Sequence, residues 1–277
     1  MLRVQLIDTL DRPELQPYRT LRQQADHHRQ GIFVAEGEKV VRRLLESRLA
    51  VISVLFPPRW LESFTPLLNA REDDTEVFLA EKEVLQNLTG FSMYQGVLAL
   101  ARIPSSHPIE AILQKSARPL FLTAVDGLSS AENLGGLVRN CSAFGVHALI
   151  VGETSCSPYL RRAVRCSMGT IFQLPHAEVA NLSTTLEELR SWGIRCVAAH
   201  PHTDRKTLAQ AELSGDCCVV FGSEGQGLSP GVLAACDEAV AIPMSAGIDS
   251  LNVGSASAVF LYEATRQRER RTNSSLG

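Results

Sequence analysis

None of the seven cysteines in this 277-residue sequence belongs to a C-x-x-C pair, and seven is an odd count. That excludes a complete disulfide framework and the usual zinc-ligand spacing. It suits a reducing compartment, with the cysteines serving as small buried apolar residues. No apolar run reaches the ~18 residues of a membrane span. The opening "MLRVQLIDTLDRPELQ" lacks the apolar core of a signal peptide. Together these absences point to a cytoplasmic protein with no membrane partner and no metal. Neither charge dominates: 27 Lys and Arg face 30 Asp and Glu, for a net charge of −3. No global basicity therefore announces nucleic acid. Also missing are the G-x-G-x-x-G turn of dinucleotide folds and the Gly-Lys-Ser/Thr of phosphate loops. A doubly wound nucleotide-binding enzyme loses its main signature.

What is present is ordinary for a globular chain, with 45% hydrophobic and 21% charged residues. The length allows one large or two ordinary domains. Residues 31–103 alternate short apolar runs with helical stretches. "GIFVAEG", "VISVLF", "TEVFLA" and "GVLALARI" read as strands, and "EKVVRRLLESRL" and "EKEVLQNLTG" as helices, the latter closed by Gly90. The alternation predicts an α/β domain over residues 1–104, with a helical lead-in at 1–30 and a mainly parallel sheet over 31–103. "IPSSHP" is a Pro/Ser linker. A second α/β domain is expected over 117–277, with strands including "PLFLTAV", "ALIVG", "TIFQL", "CCVVF" and "AVAIPM".

Three stretches of the second domain carry chemical signals. In "AVDGLSSAENLGGLVRNCSAFGV" a strand enters a helix whose Leu134, Leu137, Val138, Cys141 and Phe144 share one face. Arg139 points nearly opposite that stripe, at ~100° per residue. Gly135 and Gly136 are expected to bare the first turn, with Asn133 at its rim. In "FGSEGQGLSP" a strand ends in Gly222, Gly225 and Gly227 around Glu224, as a ligand-binding turn does. In "AIPMSAGIDSLNVGSASAVFLYEATRQRE" a strand and loop lead to a small-residue helix start, with Asp249 or Ser250 as the expected cap and Asn252 beside it.

Taken together, the three stretches resemble the SPOUT superfamily, in its SpoU branch of RNA 2′-O-ribose methyltransferases. The resemblance rests on Asn133-x-Gly135-x-x-x-Arg139, on Gly222, Glu224, Gly225 and Gly227, and on Ile242-Pro243-Met244 followed by Ser250-Leu251-Asn252-Val253. More loosely, "FVAEGEKVVRRLLES" and "GFSMYQGVLALA" are similar to the family's L30e-like substrate-binding domain. One departure is Gly254, where relatives often carry serine; it is expected to loosen a helix contact.

The resemblance implies a deep trefoil knot, a homodimer and S-adenosylmethionine as cofactor. It implies a cradle of Ala199, Gly222, Gly227, Ile242 and Leu251, and catalytic roles for Asn133, Arg139, Glu224, Ser250 and Asn252. RNA is the implied partner, ribosomal first and transfer RNA second. Arg161, Arg162 and Arg165 are candidate RNA contacts. A fold kept only for RNA binding would have no need of all five catalytic residues, so their retention argues against that alternative. The family reading makes the arginine a base, but a guanidinium releases its proton only above about pH 12. Deprotonation near neutrality would cost about 7 kcal/mol. The expectation is instead a charged Arg139, held by Glu224 and Asn133, that stabilises a phosphate or the nascent 2′-oxyanion.

Overall fold

A computed structural model describes residues 3–89, 96–202, 206–246 and 248–274. The expected cap Gly90 and the rest of "GFSMYQ" lie outside them. The chain forms two compact units, Met1–Ser105 with Pro158–Gln173, and Ser106–Ser157 with Leu174–Gly277.

The first unit is built on strands β1 (Arg3–Ile7), β2 (Ile32–Glu36), β3 (Val51–Phe56), β4 (Glu76–Ala80) and β5 (Leu98–Arg102). Their order is β1-β4-β3-β5-β2. β1, β4 and β3 pair parallel, and β5 runs antiparallel to both its neighbours, β3 and β2. The sheet is thus mixed, with β5 reversed against the other four strands, and the expected helical lead-in begins as the strand β1. Buried runs such as Val54-Leu55-Phe56 form the sheet's core. Val40, Val41, Leu44 and Leu45 bury one face of the Glu38–Leu45 helix. Tyr18 is fully buried, and its hydroxyl bonds Ser53 O (3.0 Å) and Oγ (2.9 Å).

Residues 158–173, read from sequence as part of the second domain, pack here. The Arg161–Cys166 helix lies on β2, and Phe33 contacts the rings of Tyr159 and Phe172 at 5.1 and 5.7 Å. The expected strand "TIFQL" is a 3-10 turn, Thr170–Phe172. Met168 (φ 56°) and Gly169 (φ 78°) turn the chain left-handed just before it.

The second unit holds β6 (Phe121–Val125), β7 (Ala148–Val151), β8 (His176–Glu178), β9 (Arg195–Ala199), β10 (Cys217–Phe221) and β11 (Glu238–Val240). The order is β11-β9-β10-β6-β7-β8, parallel throughout. β6, β7 and β10 are buried along their whole length, as a sheet covered on both faces requires. One face packs Leu182, Leu186 and Leu189 of the Leu182–Ser191 helix with Val232 and Ala235 of Pro230–Ala235. Two further helices, Ala131–Ala143 and Val253–Ser274, pack together. Phe260 of the latter meets Phe221 edge-on at 5.7 Å. β11 stops at Val240 and does not run on to Met244, because Pro243 offers no N–H to a ladder.

Cys141, Cys196, Cys217 and Cys218 are buried free thiols, and burial pushes Cys141 up to about 12. Among the described residues no group of three potential metal ligands comes together, and no helix is long and apolar enough to cross a membrane. From β6 the chain builds outward through β7 to β8, then returns to place β10 on β6's other side. The carboxyl ends of the strands beside such a reversal are where open α/β sheets form binding crevices.

Candidate active site

The glycine turn after β10 is the first component. Ser223 and Gly227 pair across it, with N···O distances of 3.0 and 2.9 Å. A Cβ on Gly222 would fall 2.2 Å from Gly227 C and 2.4 Å from Leu228 N. Those are backbone atoms, which cannot rotate away as a side chain could. Gly227 adopts φ +67°, open to glycine at no steric cost. Gly225 is different: nothing of the protein lies within 4 Å of where its Cβ would be. Two glycines close the turn, and the third leaves space on its outer side.

That turn walls a cavity of about 310 Å³ at the carboxyl ends of β9, β10 and β11. The size lies at the lower end of small-molecule sites, roughly 300–1,000 Å³. Ala199, Gly222, Gly227, Ile242 and Leu251 all line it, as do Glu224 and Ser250. Phe221, Val240, Met244 and Phe260 supply apolar wall. Sequence reasoning missed His200, Pro201 and His202, which also line it; the two histidine rings stand edge to face at 5.9 Å. The available signal was "AAHPH", a polar break directly after a buried strand.

At the rim three side chains meet. Asn252 Nδ2 donates to Asn133 Oδ1 (3.0 Å) and to Glu224 Oε1. Asn252 Oδ1 accepts from Gly254 N at 2.9 Å, so Asn252, and not Ser250 or Asp249, caps the last helix. Asn133 in turn is fixed near a helix start, its N–H donating to the cap Ser130 Oγ at 3.3 Å. That helix begins at Ala131. Gly135 and Gly136 therefore sit in its second turn, not its first, and the free N–H groups there belong to other residues.

Residues 121–262 match the SpoU rRNA Methylase family. The chain belongs to that family. An uncharacterized tRNA/rRNA methyltransferase of Mycobacterium tuberculosis is 34% identical over 243 residues, covering 85% of this chain and 81% of the relative. A 23S rRNA (guanosine-2′-O-)-methyltransferase of Shewanella oneidensis is 33% identical, over 75% of this chain and 85% of its own. The SpoU methyltransferase AviRb of Streptomyces viridochromogenes, solved with AdoMet, superposes with a TM-score of 0.79 at 25% identity. That match covers 93% of this chain and 98% of AviRb.

In this SpoU-family chain Arg139 lies apart from the cluster. It is six residues beyond Asn133, about 9 Å along the helix and ~120° around it. The residue is exposed, lines no part of the cavity, and has no hydrogen bond or ion pair among the described residues. Within one subunit Glu224 and Asn133 hold Asn252 instead of Arg139, so the expected clamp on the arginine is absent there.

The helix pair behind the site is tight at Gly254, contrary to the expected loosening. Asn140 Nδ2 donates to Gly254 O at 2.7 Å and to Ser257 Oγ at 2.9 Å. A Cβ on Gly254 would crowd Asn252 Oδ1 at 3.0 Å.

The basic candidates divide. Arg161, its side chain only 20% exposed, pairs with Glu36, so its charge is offset within the first unit. Arg165 is 65% exposed and lies 3.5 Å from the same carboxylate. Arg162 is on the same short helix and has a partner of its own. In the last helix Arg266 bonds Glu263, and Arg268 stacks over Phe121 at 4.5 Å while bonding the carbonyls of Pro119 and Leu120. That part of the basic run fastens the helix to the sheet.

Proposed function

We propose that this chain is an S-adenosylmethionine-dependent RNA 2′-O-ribose methyltransferase acting on ribosomal RNA, with the 310 Å³ cavity as its donor site. The observation that carries the reading is the junction at the cavity's edge: an open-sided glycine turn and the Asn133–Asn252–Glu224 cluster meet at one place. The names of the Shewanella relative and of the AdoMet-bound AviRb support the same chemistry.

The residues fit such a donor. Ile242, Leu251 and Phe221 suit an adenine ring, and the backbone of the Gly222–Gly227 turn, which also lines the cavity, suits its polar edges. The side of Gly225 empty of protein leaves room for a ligand. Bound there, S-adenosylmethionine supplies a methyl group activated by a sulfonium. The chain's part is to orient the ribose and to manage the 2′-proton and the charge it leaves. Alignment alone contributes several kcal/mol. The Asn133–Asn252–Glu224 cluster holds the cavity's rim in one geometry, and Ser250 offers a hydroxyl inside it. Arg139 stays charged and stabilises the oxyanion or an adjacent phosphate.

Arg139 is exposed and apart from its own cavity, so it acts across a homodimer. Val259 and Tyr262 of the last helix are 40% and 59% exposed, an apolar patch suited to a second copy. The C-terminal unit forms the trefoil knot of the SPOUT fold. The N-terminal unit is L30e-like and binds RNA, with Arg162 and Arg165 among its contacts, in the cytoplasm.

Titration calorimetry with S-adenosylmethionine, light scattering, and mapping of ribose methylation in a strain lacking the protein test these points in turn. The expected results are donor binding, a dimer mass and loss of one ribosomal 2′-O-methyl group. A lost methyl in transfer RNA would redirect the substrate. No binding of the donor would refute the cavity's assignment.

A further inference from the structure

Loops leave the carboxyl ends of β6, β7 and β10, and one buried side chain joins all three. Asp126, 5% exposed, directly follows β6. Its Oδ2 accepts from Ser229 N at 2.7 Å, just past the glycine turn. Its Oδ1 accepts from Thr154 Oγ1 at 3.3 Å, in the loop after β7. Its own N–H donates to Phe221 O, the last residue of β10, at 2.9 Å. Thr154 Oγ1 also accepts from Gly127 N at 3.1 Å.

Among the described residues no cation pairs with this carboxylate. Both of its oxygens are held by neutral donors, Ser229 N and Thr154 Oγ1. The position is mechanically central. Asp126–Ser130 leads straight into the helix that carries Asn133, and Ser229 ends the turn that carries Glu224.

We propose that Asp126 is a positioning residue: it locks the donor cradle in register with the helix that presents Asn133. The proposal rests on the reading of the cavity as a donor site. Removing the tie should let the glycine turn and the Asn133 helix shift independently, so donor affinity and turnover should fall together while RNA affinity stays.

The test is donor titration with steady-state methyl transfer and thermal unfolding for three variants. Asp126→Ala deletes both acceptors; losing hydrogen bonds to a charged group predicts donor Kd raised and kcat lowered by about tenfold or more, with KM for RNA unchanged. Asp126→Asn keeps an oxygen for Ser229 N and should restore donor Kd to within about threefold of wild type. Ser229→Pro removes the N–H together with a hydroxyl that makes no cap hydrogen bond; Ser229 already has φ −62°, which proline adopts, and donor Kd should again rise about tenfold.

A folded Asp126→Ala or Ser229→Pro protein with wild-type donor Kd and kcat overturns the proposal. So does unfolding of both, which would make Asp126 a folding determinant only. If the wild-type protein itself fails to bind S-adenosylmethionine, the cavity reading fails first; if it binds and the variants bind equally, the tie alone fails.

Discussion

Replacing Gly222 by alanine isolates the contact that shapes the cavity. The new methyl would sit 2.2 Å from Gly227 C and 2.4 Å from both Gly227 O and Leu228 N. Ordinary contact begins near 3.4 Å, so the far arm of the turn must retreat by about 1 Å. That retreat breaks or stretches the Ser223–Gly227 pair, two bonds of 3.0 and 2.9 Å. Each is worth about 1 kcal/mol net, and overpacking strain adds about 1–3 kcal/mol. The expected loss is therefore about 3–5 kcal/mol. At ~2–4 °C per kcal/mol in a chain of this size, the thermal midpoint should fall by about 6–20 °C. Gly225→Ala is the control: its methyl meets nothing within 4 Å, so the fold should be unaffected. Only a ligand seated against the turn would feel it. Differential scanning calorimetry reads the first effect and donor titration the second. Gly222→Ala should unfold early and bind no donor; Gly225→Ala should unfold as wild type and bind donor weakly. A wild-type melting curve for Gly222→Ala would refute the backbone-clash reasoning.

Other expectations rest on separate contacts. Asn252→Asp keeps an acceptor for Gly254 N but turns a second oxygen toward Glu224 and Asn133. Methyl transfer should fall about tenfold or more, as like charges meet where a hydrogen bond stood, while calorimetry shows little change in unfolding. Arg139→Ala should leave unfolding and donor binding untouched, because the side chain is exposed and bonded to nothing described. Single-turnover transfer should drop by about a hundredfold or more, the scale of a lost oxyanion stabiliser. Arg139→Lys should retain a measurable fraction of that rate; complete loss with RNA binding intact would require the guanidinium itself.

In the first unit burial would raise the Asp73 carboxyl, but the Arg71 guanidinium, Val51 N and Thr75 Oγ1 outweigh it and hold the group at about 2. The folded value lies below the unfolded one, so this stability is complete above about pH 4 and disappears as pH falls toward about 2. Asp73→Asn should cost about 2 kcal/mol at pH 7, and urea titrations should show the gap to wild type closing in that acid window.

Much was legible in one dimension. The buried runs of β6, β7 and β10 read as strands because a parallel sheet covered on both faces needs unbroken apolar sequence. The stripe of Leu134, Leu137, Val138 and Cys141 declared its helix by spacing. The 158–173 segment was misassigned because periodicity says nothing about which sheet a helix joins; Phe33, Tyr159 and Phe172 settle that by packing. "TIFQL" has the composition of a strand, but it forms a 3-10 turn whose Ile171 and Phe172 are buried, a tertiary choice that composition does not record. The mixed first sheet was equally hidden, since strand direction depends on connections and not on composition.

By itself the amino-acid order determined the local elements of the second unit, the three polar stretches and the glycine turn's existence. These follow from periodicity and from the conformational freedom of glycine, which act over a few residues. Tertiary structure alone decided that Gly222 opposes Gly227's backbone, that Asn252 joins Asn133 to Glu224, that Asp126 ties three loops, and that Arg139 stands apart. Such contacts join residues up to 119 positions apart. Their partners are chosen by how sheets and helices pack, and no short-range pattern encodes that choice.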